Sequence, residues 1–426
     1  MSVDRTYTRK AIWSWALYDF ANSPFTTLVV TFIYSQYFVR AIAPDPIRGT
    51  LLWSRGVTLT ALVVAFASPF LGAAADRGGL RKLFLAISTI TCIVASTALY
   101  GILPGHALQA LIWFVIANIG FEFAMVFYNA FLPDIAPPDR IGRISGYGWA
   151  FGYVGALLAL LIALVTLIQP EIPWFGFSKV DGENVRATNL LAAGWFAVFS
   201  LPILIWVKED KSQVSKSGRL LSNTTAQLRE SFHQIRQYRQ VVRFLVARLL
   251  YNDGLVTIFA FAGIYAASTF GFETRDILVF GIVLNVTSGI GALVMGHLDD
   301  RLGGKITIQV TLVGLMIATV IAIVAPNRFW FWVAGVIVGI FVGPNQSASR
   351  SLMGRFVPPD KENEFFGFFA FSGKLTAFLG PFFFGVLTHQ FGSQRAGISI
   401  VLLLFALGLV LLSRVDEREG IDTAAR

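Results

Sequence analysis

The chain has 426 residues, 55% of them hydrophobic and only 14% charged, with a net charge of +9. Soluble domains run near about 45–50% apolar and about 25% charged, and the buried fraction of a chain grows too slowly with size to hide such an excess, so a soluble enzyme is excluded. The single cysteine, Cys92, excludes a disulfide framework and a cysteine-based metal centre.

About 20 consecutive apolar residues cross a hydrocarbon core of about 30 Å as a helix. Apolar runs bounded by charge, Gly and Pro predict twelve such spans, at 13–39, 52–75, 81–103, 107–132, 143–168, 189–207, 243–270, 276–298, 304–325, 329–353, 364–390 and 394–413. The fold class expected is therefore an all-α polytopic membrane protein. The external segment 169–188 carries Trp174, Phe175 and Phe177, consistent with an interfacial or lid role. The longest polar interval divides the chain into an N-terminal half at 1–207, a cytoplasmic central loop at 208–242 and a C-terminal half at 243–426. In that loop Leu228, Phe232, Ile235 and Tyr238 alternate with Arg229, Arg236 and Arg239, the pattern of an amphipathic surface helix; a solvated tether is the alternative.

With both termini inside, 24 of the 34 Lys and Arg fall in cytoplasmic segments and 8 in outer ones, while Arg248 and Lys374 lie inside spans. That bias predicts cytoplasmic termini. It assigns the basic charge to anionic lipid rather than to nucleic acid.

The halves echo each other. Gly72-Ala-Ala-Ala-Asp76-Arg77 after the second span matches Gly296-His-Leu-Asp-Asp300-Arg301 after the eighth, at an offset of 224. Pro137-Pro138-Asp139 with Gly146 matches Pro358-Pro359-Asp360 with Gly367 at 221, and Leu17-Tyr18-Asp19 resembles Leu250-Tyr251-Asn252 at 233. Parallel repeats of this kind are the sign of a transporter whose halves rock about a central site.

Gly72–Lys82 and Gly296–Lys305 resemble the loop signature of the major facilitator superfamily, G-x-L-A-D-R-x-G-[RK]-[RK], with Ala74 in place of the Leu and Leu80 where a basic residue is usual. Within that superfamily, Trp15, Tyr18, Asp19, Asn22, Pro24 and Phe25, then Gln346, Ser349, Arg350 and Ser351, then Glu364, Gly367 and Gly380-Pro381, resemble the group related to the fungal vacuolar amino-acid effluxer linked to autophagy. The resemblance implies twelve helices in two pseudo-symmetric six-helix halves. It also implies a conformational latch at Gly72, Asp76, Arg77, Gly296, Asp300 and Arg301.

A lipid-facing charge costs several kcal/mol, so an ionisable residue within a span must face a cavity or a partner. The chain places Asp19, Glu122, Arg248, Asp253 and Lys374 in spans and Arg350 at the inner end of the tenth. Helical spacing adds Asn22 to Asp19, Asn129 to Glu122, Asn252 to Arg248 and Gln346 to Arg350. These ten residues are the candidates for substrate binding or coupling, either as an inner gate pairing acids of one half with bases of the other, or as a site for a charged or zwitterionic solute. Glu122 and Asp19, then Asp253, are the candidate proton-coupling carboxylates. Pro24 is read either as an ordinary kink or as a source of carbonyls exposed to a cavity. Trp15, Tyr18, Tyr128, Tyr147 and Tyr153 are cavity candidates, whereas Phe365, Phe366, Phe368, Phe369 and Phe371 circle one helix and are expected to face acyl chains.

Histidines without ligand spacing point to no metal, and no Walker or Rossmann loop is present, so neither a cofactor nor ATP-driven transport is expected. The expected protein is a monomeric secondary active or facilitative transporter in a bacterial cytoplasmic (inner) membrane. It would export a small solute such as an amino acid or amphipathic metabolite, with the bilayer and protons as its other partners. The competing class is a non-transporting sensor or scaffold on a transporter fold.

Overall fold

The computed structural model describes residues 8–209, 235–359 and 361–425. The expected surface helix at Leu228, Arg229 and Phe232 lies outside the described residues. Those residues hold twelve helices long and apolar enough to cross a membrane: α1 Arg9–Ile42, α2 Pro46–Gly78, α3 Arg81–Tyr100, α4 Ala107–Ile135, α5 Ile141–Ile168, α6 Val180–Trp206, α7 Arg239–Phe270, α8 Arg275–Leu302, α9 Gly304–Val324, α10 Arg328–Phe356, α11 Glu362–Phe391 and α12 Gln394–Ser413. A short α13, Glu417–Ala424, follows. The protein is thus all-α, and no strand occurs among the described residues.

Local chemistry sets the helix ends. Asp45 caps α2 by accepting from the Arg48 N–H, Pro46 opens its first turn, and Gly79 ends it in the left-handed region at φ 57°. The sixth helix begins earlier than its apolar run, because its polar first turns are satisfied inside the bundle: the Asn184 amide donates to the Leu167 carbonyl at 2.9 Å and the Asn189 amide to the Arg186 carbonyl at 3.0 Å. Pro24 turns the middle of α1 into a π-helical stretch, Phe25–Phe32. The carbonyl its missing N–H leaves free, that of Phe20, accepts from the Trp195 indole at 3.0 Å. That carbonyl is therefore claimed by protein.

The eleventh span is not one helix. Helix runs from Glu362 to Lys374 and again from Leu379 to Phe391, with turns between. Pro381 offers no N–H to Ala377 and crowds that carbonyl, so the ladder fails one turn before it.

Buried apolar side chains form two clusters, one drawn from 15–207 and the other from 235–415 with Val126 and Ala130 of α4. Four of the five phenylalanines expected in acyl chains belong to the second, while Phe371 is half-buried outside it. Phe365, Phe366, Phe368 and Phe369 are all buried, because α11 is enclosed by α7, α10 and the facing α2.

The halves meet along two seams, α2 on α11 and α5 on α8. A Cβ on Gly72 would lie 2.2 Å from the Asn363 carbonyl oxygen, and one on Gly367 2.5 Å from that of Ser68. In the other seam a Cβ on Gly146 would lie 2.5 Å from the Ala292 oxygen, and one on Gly296 3.0 Å from the Arg143 Cα. Small residues admit this backbone approach where lipid removes the hydrophobic drive for association. Ser68 and Gly72 map onto Ala292 and Gly296 at 224, and Gly142 and Gly146 onto Asn363 and Gly367 at 221, so one seam is the image of the other.

Every inter-half hydrogen bond between described residues lies within about four helical turns of one end of the bundle, where α2 meets α3 and α8 meets α9. Beyond that level the second part of α11 packs on α7 and α12 of its own half. Gly367→Val is expected to remove on the order of 1–3 kcal/mol of seam packing, read as a lower thermal midpoint of the purified protein. Gly194→Ala, where a Cβ meets nothing within 4 Å, should leave the midpoint unchanged or slightly raised.

Candidate functional site

The bonded end is built in three layers. Outermost are two carboxylate caps. Asp76, at the end of α2, accepts the backbone N–H of Asn363 at 3.1 Å and of Glu364 at 2.8 Å, and the Asn363 side-chain amide at 2.5 Å. Asp300, at the end of α8, accepts the N–H of Gly142 at 2.7 Å and of Arg143 at 3.3 Å, and the Arg143 Nε at 2.5 Å. Each carboxylate thus serves the orphan donors and the positive dipole end of a helix from the opposite half. Gly72 and Gly296 clear the approach.

Around the caps lie ion pairs. Arg81 reaches Glu362 at 3.0 Å and also holds Asp134 of its own half. Arg355 meets Asp299 at 2.6 Å, and the Ser351 hydroxyl donates to the same carboxylate. From α13, Glu417 accepts the N–H groups of Gly304 and Lys305 at 3.0 and 2.9 Å and stands 3.6 Å from Arg355. Arg77 and Arg301, the basic residues of the latch motif, are exposed and pair with no described residue.

One layer deeper, Arg350 of α10 enters the N-terminal half. Its Nη1 lies 2.9 Å from Asp19 and 3.3 Å from the Asn129 oxygen, its Nε donates to the Ser145 hydroxyl at 2.9 Å and its Nη2 to the Ser145 carbonyl at 2.7 Å. The guanidinium lies over Trp15 at 4.7 Å, with Trp149 and Tyr128 at 5.5 and 5.6 Å. Trp15 and Tyr18 both stack on Tyr128, so three of the aromatic candidates form this wall. A cation that gives up water is here met by a carboxylate, neutral acceptors and π faces together. Gly148 makes the room: a Cβ there would lie 2.6 Å from the Asp19 Oδ2 and 2.7 Å from Nη2. Asn22 donates to the Tyr18 carbonyl at 2.8 Å and lies 3.5 Å from Asp19.

The innermost layer is looser. Lys374 of α11 reaches Glu122 of α4 at 2.5 Å, with side chains 32% and 18% exposed against 2% and 7% for Arg350 and Asp19. Gln346 accepts from the Tyr153 hydroxyl at 3.0 Å. These are the last inter-half hydrogen bonds among the described residues; apolar packing continues toward the other end, where Phe32 and Leu160 face Leu278 and Gly281.

The polar residues of α7 turn to the broken α11. Arg248 donates to the Phe369 carbonyl at 2.6 Å and the Ser372 hydroxyl at 2.8 Å, Asn252 to the Gly373 carbonyl at 3.0 Å, and Asp253 accepts the Gly380 N–H at 2.9 Å. Two of these four contacts serve backbone groups next to the break.

The structure therefore brings together Asp19, Asn22, Asn129 and Arg350, and separately Glu122 and Lys374. It leaves Gln346 with Tyr153 rather than Arg350, and Asn129 apart from the Glu122 pair. Sequence reasoning missed Ser145, Arg143, Glu362 and Asn363; it named Tyr153 as a cavity candidate but not its pairing with Gln346. A signal for Arg143, Glu362 and Asn363 was present: Gly142 and Asn363 correspond at 221, and Arg143 and Glu362 adjoin them, but a charge at a span end reads from sequence as lipid-facing.

A family profile described as "Vacuole effluxer Atg22 like" matches residues 47–425. A Bacillus subtilis (strain 168) protein described as an uncharacterized MFS-type transporter, YxiO, is 29% identical over 415 residues, 96% of each chain. Autophagy-related protein 22 of Kluyveromyces lactis is 24% identical over 299 residues, 65% of this chain and 58% of that protein. Among solved structures, the proton:xylose symporter XylE bound to 6-bromo-6-deoxy-D-glucose superposes with a TM-score of 0.73 at 13% identity, covering 98% of both chains.

Removing a charged acceptor from a helix N-terminus costs about 1.5–3 kcal/mol, so Asp76→Asn with Asp300→Asn should open the seam. The readout is maleimide labelling of Ser347→Cys in a Cys92→Ser background. Ser347 is 1% exposed and its carbonyl meets Ser145 across the seam. Labelling should be slow with both aspartates present and on the order of tenfold faster without them; equal rates would show that the caps do not hold the seam.

Proposed function

Because the chain belongs to the Atg22-like vacuole effluxer family and is an integral membrane transport protein of the major facilitator superfamily, we propose that it moves a small solute by alternating access and that the bonded end is its closed cytoplasmic gate. One observation carries this reading: the inter-half hydrogen bonds of the described residues lie at one end, in the two seams related by the internal repeat and in the contacts of α10 and α11 with α1, α3, α4 and α5 beside them. The excess of Lys and Arg in the loops of that end supports a cytoplasmic placement. The full-length bacterial relative supports a bacterial cytoplasmic membrane. The state described is then outward-facing.

The halves at 1–207 and 243–426 act as the two rocking bodies, tethered by 208–242. Their contacts combine close backbone packing at small residues along α2–α11 and α5–α8 with the polar pairs described above. Acids of the N-terminal half, Asp19 and Glu122, face bases of the C-terminal half, Arg350 and Lys374. Removing one partner of a buried pair is costly because it strands the other charge. Opening therefore needs something to take the partner's place. At the half-exposed Glu122–Lys374 pair, a proton on Glu122 and an anionic group on Lys374 do so. Export of an amino acid or amphipathic metabolite fits the family description and this pairing of one acid with one base.

Efflux from and counterflow into proteoliposomes holding the purified protein, with a metabolite library and imposed pH gradients, tests the reading. Glu122→Gln is expected to abolish accumulation driven by a pH gradient while solute exchange persists. Undiminished accumulation by the variant would remove Glu122 as the coupling group.

A further inference from the structure

Four arginines of the bonded end face a carboxylate: Arg81 meets Glu362, Arg143 meets Asp300, Arg350 meets Asp19 and Arg355 meets Asp299, at 2.5–3.0 Å. Arg248, at the same depth in α7, does not. Both of its hydrogen bonds come from Nη1 and end on neutral oxygens, the Phe369 carbonyl and the Ser372 hydroxyl. Its Nε and Nη2 have no acceptor among the described residues, and neither atom is fully buried. The guanidinium carbon lies over the Phe369 ring, 3.5 Å from its centroid.

The surroundings do not neutralise it. Its Nη1 and Nη2 lie 2.9 and 3.1 Å from where a Cβ of Gly373 would stand, and the next residue is Lys374. Lys374 is taken by Glu122. Asp253, five residues on and on another side of α7, serves the Gly380 N–H. Arg248, Lys374 and Glu122 together therefore leave one positive charge in excess, within a membrane span where an uncompensated charge is expensive.

The repeat does not place an arginine at the corresponding position of α1. At the repeat offset of 233, Arg248 corresponds to Trp15, and Asn252 to Asp19. Gly152 and Gly373, at 221, are the residues each of these polar side chains lies against. In the other half that position is a neutral indole, and the guanidinium lying on it, that of Arg350, is paired with Asp19. We propose that Arg248 is an anion-binding residue of the transport site, and that the transported solute carries a carboxylate which docks on its Nε and Nη2. The Nε–Nη2 edge of a guanidinium whose two donors lack an acceptor among the described residues matches the two oxygens of that group, whereas an ammonium would give only a point charge. This inference rests on the transport reading above and names the class of solute.

The test uses the full-length protein in detergent at constant ionic strength. Benzoate, hexanoate and N-acetylphenylalanine are compared with benzamide, hexanamide and N-acetylphenylalaninamide by thermal midpoint. The carboxylates are expected to raise the midpoint and their amides not to. Arg248→Gln should weaken the carboxylate response by about tenfold or more, and Arg248→Lys should retain part of it. If the Gln variant does not fold, the Lys variant and the acid–amide comparison on the unaltered chain decide. Equal response to acids and amides, no response to any acid, or an undiminished response in Arg248→Gln overturns the proposal. Counterflow of radiolabelled benzoate in proteoliposomes separates the two readings: binding without flux argues against transport of that acid and leaves the site, whereas flux indifferent to Arg248→Gln overturns the site and leaves transport.

Discussion

Each seam is closed by one carboxylate set on the first turn of a helix from the other half. Asp76 and Asp300 use a property that every helix carries, unpaired N–H groups at its start, so the partner half need supply no particular side chain. That economy has a geometric condition. The carboxylate must come within hydrogen-bond reach of backbone, and only small residues one turn before it, Gly72 and Gly296, allow the helices to close that far. The deeper layers depend on this closure: Arg350 reaches Asp19 and Lys374 reaches Glu122 only while α5 and α11 lie against α8 and α2.

Much of this was legible in the residues. Twelve apolar runs gave the spans to within a few residues at most ends, because a hydrocarbon core imposes length and composition directly. The offsets of 224 and 221 marked the internal repeat, on which the two seams prove to lie at equivalent positions. The ionisable residues inside spans did find partners or backbone, as the cost of a bare charge in lipid demands.

What stayed hidden has a common cause. Apolar continuity reports that a segment can lie in a membrane and says nothing of whether its helix is whole. The turn between Lys374 and Leu379 sits within a single predicted span, and the six residues before Asn189 are helical despite their polarity. In both places side-chain amides, carboxylates or an arginine satisfy what lipid cannot. Pairing was hidden for a similar reason. Spacing along one helix tells which residues share its face, but Gln346 and Asn129 each turned to a partner on another helix. The phenylalanine run misled because composition cannot distinguish acyl chains from a protein wall.

Asn129 and Arg350 occupy corresponding places in the two repeats, 221 residues apart, and their side chains touch at 3.3 Å. Two equivalent points that touch must straddle the axis relating the halves. There is one space on such an axis, and two guanidinium groups could not share it. A strictly duplicated chain could not have built this centre: at this one place likeness between the halves is forbidden by charge, and their symmetry has to be broken for the molecule to close.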